Sequence, residues 1–246
     1  MAFEVKDVLI VLPAFNEQAS IVHTLNDIDK NVPGANKLVV DDGSTDKTAD
    51  YARQAGAQVA QLPFNIGVGG AMRFGFRHAS RNGYKVVIQL DADGQHDPAY
   101  IPELLRNLDQ SDLVIGARFA GEGDYEVHGP RKWAMGLLST VISRSANSKL
   151  TDTTSGFRAS GPRAIELFAK DYPAEYLGDT VESLVIALKS GLTVSQVPVA
   201  MRKRIGGQPS QNAWQSAVFL FRAATALIIA YMRPTDPANE PHGEKS

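Results

Sequence analysis

Three times in its first hundred residues the chain repeats one pattern: an apolar run rich in branched residues, an abrupt polar or acidic break, then a helical pattern. In VLIVLPAFNE, Val8–Leu12 is apolar, Pro13 is expected to end the strand, and Glu17 falls near the start of a helix carrying Ile21, Val22, Leu25 and Ile28. In KLVVDDGSTDKT, Leu38, Val39 and Val40 form the run and Asp41-Asp42-Gly43-Ser44 the turn, with a helix expected from Thr45, capped by Ser44 or Thr45. In VVIQLDADGQHDP, Val86, Val87 and Ile88 lead into Asp91-Ala92-Asp93-Gly94 and Pro98. Strands that each feed a polar loop and then a helix build a parallel α/β sheet. Ligands on such sheets sit beyond the carboxyl ends of the strands, so all three loops should open onto one edge.

The third loop carries the sharpest chemistry. Two carboxylates one residue apart, Asp91 and Asp93, cannot both be buried without a cation. Hard oxygen ligands suit Mg²⁺ or Mn²⁺, which commonly take further ligands from phosphates. A solvated turn with capping Asp residues explains an isolated Asp-x-Asp equally well. The second acidic strand end, at Asp41-Asp42, is what favours a ligand site. Arg118, at the end of the run Leu113–Ile115, faces the same edge. Gly67, Gly69 and Gly70 lack both the Lys-Ser/Thr of a Walker loop and dinucleotide-fingerprint spacing, and are read as close backbone packing. The five histidines show no metal-ligand spacing, and His96 is read as a loop residue beside the acidic pair.

Composition excludes other classes. A net charge of −2 gives no general attraction to nucleic acid. The absence of Cys removes disulfides, thiolate metal sites and thiol nucleophiles. The first residues, MAFEVKDVLIVLP, lack the basic flank and apolar length of a signal peptide, and read as the first strand of a cytosolic fold.

The ordered set PAFNE (13–17), VVDDGSTDKT (39–48), FNIGVGGAMRFGF (64–76), QLDADGQHDP (89–98), VIGARF (114–119), TDTTSGFR (151–158) and VPVAMRKRIGGQPS (197–210) resembles the family 2 glycosyltransferases of GT-A fold. Within them it looks like the dolichyl-phosphate mannose synthase-like branch. The resemblance implies a three-layer α/β, Rossmann-like nucleotide-sugar fold with a mainly parallel central sheet. It also implies inverting, metal-dependent transfer of a hexose from a nucleotide sugar (GDP-mannose or UDP-glucose-like) to polyprenyl phosphate at the cytosolic membrane face. It puts Pro13, Phe15, Glu17, Val40 and Asp42 around the nucleoside, with Asp41 directed elsewhere or capping the following helix. Asp91 and Ala92 go to the donor, Asp93 and Gln95 to the Mg²⁺ or Mn²⁺ ion, and Arg118 and Arg204 to the diphosphate. The family pattern around Arg204 ends in Ser-Lys, whereas here Pro209-Ser210-Gln211 follows.

The acceptor divides the readings. A lipid phosphate is already anionic and needs a cationic cradle, for which Arg131, Lys132, Arg144, Lys149 and Arg158 are candidates. The resemblance assigns the acceptor phosphate to Arg131, with Lys132 beside it. Arg131 and Lys132 precede an amphipathic segment with Trp133, Leu137, Leu138, Val141 and Ile142, suited to a membrane interface or to ordinary packing. A glycan hydroxyl acceptor would need a carboxylate base. Glu182 is a candidate for that base, for a donor-hydroxyl contact, or for a polar helix surface. Asp152 is expected either to touch the donor sugar or to organise Arg158. A catalytically inactive nucleotide-sugar binder is the third reading.

The expected organisation is one GT-A domain over 1–211, a hydrophobic helix over 212–233 and a disordered polar tail over 234–246. Ala213–Met232 is long enough to cross a bilayer, but Arg222 stands at its centre. An interfacial helix, one docked on an integral-membrane partner, or a homo-oligomer contact are the options. The expected location is cytoplasmic, peripherally attached to the cytoplasmic membrane.

Overall fold

The computed structural model describes residues 3–118, 150–173 and 179–204. Among these, seven strands form one sheet in the order β3-β2-β1-β4-β6-β5-β7. They are β1 (Val8–Ala14), β2 (Asn36–Asp41), β3 (Gln58–Gln61), β4 (Val86–Gln89), β5 (Leu113–Ala117), β6 (Arg158–Ser160) and β7 (Val194–Pro198). All neighbours are parallel except β6, which runs antiparallel to both β4 and β5.

Side-chain alternation along β1 divides the core. Val8, Ile10 and Leu12 pack on one face with Ile21, Leu25 and Ile28 of α1 (Ile21–Asn31), Ala52 of α2 (Thr48–Gln54), and Ile101 and Leu104 of α4 (Ile101–Asn107). Leu9 and Val11 pack on the other with Met72 and Phe76 of α3 (Gly67–Arg81), Phe168 of α5 (Pro162–Lys170) and Leu184 of α6 (Asp179–Lys189). Helices on both faces explain why β1, buried along its whole length, reads as a continuous apolar run. Gly75 lets α3 lie close on the sheet, since a Cβ there would meet Val11 Cγ1 at 2.6 Å.

Two boundaries differ from the sequence expectation. Pro13 lies inside β1, paired with Val40. The Val11 carbonyl accepts from Leu90 N–H and the Ala14 carbonyl from Asp42 N–H, so Pro13, in phase with Val11, turns its missing donor toward β4. The β1–β4 pairing has already ended there, at Val11–Gln89, and no ladder bond is lost. Helix α2 starts at Thr48 rather than Thr45. The intervening residues form a turn in which Asp46 accepts from Thr48 N–H at 2.9 Å.

Candidate functional site

The loops after β1 and β2 are laced together. Asn16, in the left-handed region at φ 56, donates its N–H to Ser44 Oγ at 2.9 Å, and its Oδ1 accepts from Thr45 N–H at 2.9 Å. Glu17 N–H donates to Thr48 Oγ1 at 2.8 Å, and Gln18 and the 46–47 turn exchange bonds in both directions. The two expected nucleoside loops thus form one surface. Phe15 is exposed on it, as is Phe64, whose backbone lies against Gly43. Sequence reading did not single out Phe64; its signal was an aromatic beside a glycine-rich helix start. Val40 is wholly buried with its side chain in the core, so only its backbone can face a ligand.

The two adjacent aspartates have separate structural tasks. Asp41 accepts from Ser44 N–H at 3.1 Å and closes the turn. Asp42 accepts from Ile66 N–H at 2.7 Å and Gly67 N–H at 2.8 Å, seating a carboxylate at the start of α3. Asp42 thus serves the start of α3, while Asp41, a candidate cap for the following helix, accepts from Ser44 N–H ahead of α2. Burial, together with the Asp41 charge, pushes the Asp42 carboxyl up despite those two bonds.

Beyond β4, Asp93 Oδ1 accepts from Gln95 N–H at 2.9 Å. Its other oxygen stands 3.8 Å from Arg204 Nε. Burial, then the Asp91 charge, raises the Asp93 carboxyl above its ordinary range. This is the signature of two crowded carboxylates short of positive charge. A hard divalent ion fits such a donor set. Among the described residues no group of three or more His, Cys, Asp or Glu side chains could hold a metal, so further ligands would have to come from Gln95, water or a bound phosphate. The Ala92 side chain is buried in the core, and its carbonyl accepts from Thr24 Oγ1 at 3.1 Å, anchoring the loop to α1.

His96 is buried, not merely beside the loop. Its Nδ1 accepts from Asp91 N–H at 3.2 Å, and its ring stacks on Phe157 with centroids 5.1 Å apart. Gly156 crosses over the same carboxylate: a Cβ there would stand 3.4 Å from Asp91 Oδ1 and 3.3 Å from Gln89 Nε2. Because β6 is reversed, the segment preceding it, not following it, reaches the ligand edge.

The same segment carries Asp152, which is wholly buried. It organises Arg118, not Arg158. Asp152 Oδ2 accepts from Arg118 N–H at 3.1 Å and Nε at 2.7 Å, and Oδ1 from Arg118 Nη2 at 2.9 Å. Burial alone would raise the Asp152 carboxyl; the Arg118 bonds and charge outweigh it and hold it below the usual range. Arg158, expected in an acceptor cradle, is instead buried at the start of β6. It donates to the Ser155 and Thr153 carbonyls and to Ser183 Oγ of α6. Half-buried Glu182 immediately precedes Ser183 on that helix.

After β7 the chain crosses back over the edge. Met201 bridges His96, and Arg202 N–H donates to the Gln95 carbonyl at 2.9 Å. The Arg202 guanidinium is held by Asp27 and, at 2.7 Å, by Asp97. Arg204 Nη2 then donates to Glu17 Oε1 at 2.7 Å. Thus Glu17, Asp93 and Arg204, far apart in sequence, meet in one place. Arg131, Lys132, Arg144 and Lys149, the segment after Arg131, and the helix and tail expected over 212–246 lie outside the described residues.

The profile of glycosyl transferase family 2 matches residues 9–167 of the chain. The chain belongs to the family 2 glycosyltransferases. An undecaprenyl-phosphate mannosyltransferase of Micrococcus luteus is 35% identical over 83% of this chain and 87% of its own length. A polyprenol monophosphomannose synthase of Mycolicibacterium smegmatis is 28% identical over 88% and 85%. Among solved structures, glucosyl-3-phosphoglycerate synthase from Mycobacterium tuberculosis, crystallised with Mn²⁺, uridine diphosphate and glucosyl-3-phosphoglycerate, superposes with a TM-score of 0.71. It covers 93% of this chain and 81% of that one at 22% identity, a likeness of fold. The fold of this glycosyltransferase is therefore GT-A, as its motifs implied. No helix among its described residues is long and apolar enough to cross a membrane.

Proposed function

We propose that this glycosyltransferase moves a hexose from a nucleoside diphosphate sugar to a polyprenyl phosphate, with inversion, at the cytosolic face of the membrane. The observation that carries the acceptor class is the 35% identity to an undecaprenyl-phosphate mannosyltransferase over 83% of this chain and 87% of that one. The meeting of Glu17, Asp93 and Arg204 at the ends of β1, β4 and β7 supports a donor that spans from nucleoside to diphosphate. In this reading the laced loops, with Pro13, Phe15, Glu17 and the backbone near Val40 and Asp42, receive the nucleoside. Asp91 and the Ala92 backbone face the donor sugar and ribose.

Asp93 and Gln95 would hold Mg²⁺ or Mn²⁺, which when bound screens the charge that develops on the departing diphosphate. An oxygen of the acceptor phosphate attacks the anomeric carbon from the face opposite the diphosphate. The bond to the leaving oxygen breaks, and its electron pair stays on the nucleoside diphosphate. Arg204 donates hydrogen bonds to that growing charge. Arg118, held in place at the end of β5 by Asp152, serves the diphosphate together with Arg204. Arg131 and Lys132 hold the acceptor phosphate, which, being anionic already, needs no strong base.

The experiment is a panel of radiolabelled nucleotide sugars offered with undecaprenyl or dolichyl phosphate. Label passing into the organic phase is the expected result. Label found only in water-soluble glycan would replace the lipid acceptor by a hydroxyl acceptor, with Glu182 as the candidate base.

A further inference from the structure

Two carboxylates at the donor site share a design. Each has one oxygen tied to its own loop and the other turned toward Arg204. Glu17 Oε2 accepts from Ser20 Oγ at 2.7 Å, while Oε1 accepts from Arg204 Nη2 at 2.7 Å. Asp93 Oδ1 accepts from Gln95 N–H at 2.9 Å, while Oδ2 faces Arg204 Nε at 3.8 Å. One guanidinium therefore spans the oxygens that the donor-site reading gives to ligands at both ends. Its planar fork suits such bridging, and its charge is permanent.

The backbone carrying Arg204 is fastened without it. Met201 bridges His96, Arg202 N–H is bonded to the Gln95 carbonyl, and the Arg202 guanidinium is clamped between Asp27 and Asp97. The long Arg204 side chain can leave both carboxylates by rotating, while residues 201 and 202 stay docked. Among the described residues, meanwhile, the side chains alone offer no cluster of three or more His, Cys, Asp or Glu to a bare ion.

We propose that Arg204 is the internal counter-ion of the donor-free enzyme, occupying Glu17 and Asp93 until a metal–nucleoside diphosphate exchanges it onto the diphosphate. Free divalent metal then has to compete with a cation already standing against both carboxylates. The same metal arriving with a diphosphate brings the anion that draws Arg204 away. Metal and donor enter together because one arginine answers to both. The inference rests on the donor-site reading above, which it deepens by assigning the order of entry.

The test is Mn²⁺ binding to the full-length protein, followed by the electron paramagnetic resonance of free Mn²⁺. It is run without nucleotide and then with uridine or guanosine diphosphate, for the parent, Arg204→Gln and Arg204→Lys. Loss of a charge-assisted contact changes an equilibrium by roughly 10–150-fold. Arg204→Gln should therefore bind Mn²⁺ alone at least about tenfold more tightly, and should bind the Mn²⁺–nucleotide pair more weakly than the parent. Arg204→Lys, keeping the charge, should stay close to the parent with Mn²⁺ alone, which separates counter-charge from loss of packing. Unchanged or weaker Mn²⁺ binding by Arg204→Gln, with nucleotide binding by the parent intact, overturns the inference alone. Failure of the parent to bind either nucleotide with Mn²⁺ overturns the donor-site reading and this inference with it.

Discussion

Replacing Asp152 by Asn tests the electrostatic joint between the two halves of the sheet edge. Asp152 is wholly buried, and Arg118 is only 17% exposed. The carboxylate receives the Arg118 N–H, Nε and Nη2 together with Thr154 N–H at 3.1 Å. An Asn side chain offers one acceptor oxygen and turns an NH₂ donor toward a guanidinium that is itself all donor. Removing one member of a buried pair costs about 3–5 kcal/mol, because the remaining charge keeps its desolvation cost. For a chain of this size each kcal/mol lowers Tm by roughly 2–4 °C, so Asp152→Asn should fall by roughly 6–20 °C at pH 7. The sign with pH follows from a folded-state carboxyl held below its unfolded value of 3.8. Its stabilisation is complete above that unfolded value and disappears as pH falls through the lower folded one. Calorimetric melting curves of parent and variant should therefore converge in acid. A double variant, Arg118→Met with Asp152→Asn, should recover part of the loss, since it leaves no buried charge and keeps a side-chain oxygen to accept from the Arg118 and Thr154 N–H groups. A fall of less than about 2 °C at pH 7, or a gap that widens in acid, would refute the reasoning.

The remaining expectations are simpler. Asp93→Asn should abolish turnover and Mn²⁺-dependent nucleotide binding while leaving Tm at or above that of the parent. Its ionised carboxyl, raised by burial and by Asp91, weakens the fold above its folded pKa; activity of the purified variant in excess chelator would contradict the metal assignment. Gly156→Ala puts a methyl group 3.4 Å from Asp91 Oδ1, and should raise the donor KM by up to about tenfold with little change in Tm. Arg131→Ala should raise the KM for lipid phosphate by about 10–150-fold and leave that for the nucleotide sugar nearly unchanged. Weakened donor binding with an unchanged acceptor KM would put Arg131 at the other end of the site.

Much of the architecture was legible because β1, β2 and β4 are buried on both faces and so appear as unbroken apolar runs ending in polar loops. The strand β6 was not: it is three residues long, begins with a buried Arg and has no apolar run. Its reversal is what brings Gly156 and Asp152 to the edge. The repeated strand-and-loop pattern put Glu17 and Asp93 on one edge and the family resemblance added Arg204, but side-chain pairing depends on distances that sequence does not contain. Asp152, read as a candidate organiser of Arg158, holds Arg118 instead. The pair Asp41-Asp42 shows the same ambiguity, since adjacent side chains point apart and only the fold reveals that one of them serves a helix twenty-four residues away.

The reversed β6 has a further consequence for how a family of this kind can diversify. The chain leaves the sheet after Ala117 and re-enters it at Arg158, and just outside those strands Arg118 and Asp152 are riveted together by hydrogen bonds. With Arg118 and Asp152 held together, a flexible connection between two such points costs closure entropy that grows only slowly with its length, about 0.6 kcal/mol for each doubling. A longer, shorter or differently charged passage can be grafted at these two points without disturbing a single ladder bond of the sheet. The edge built from β1, β2, β4 and the segment after β7 keeps its geometry, while whatever joins Arg118 to Asp152 is free to be rewritten.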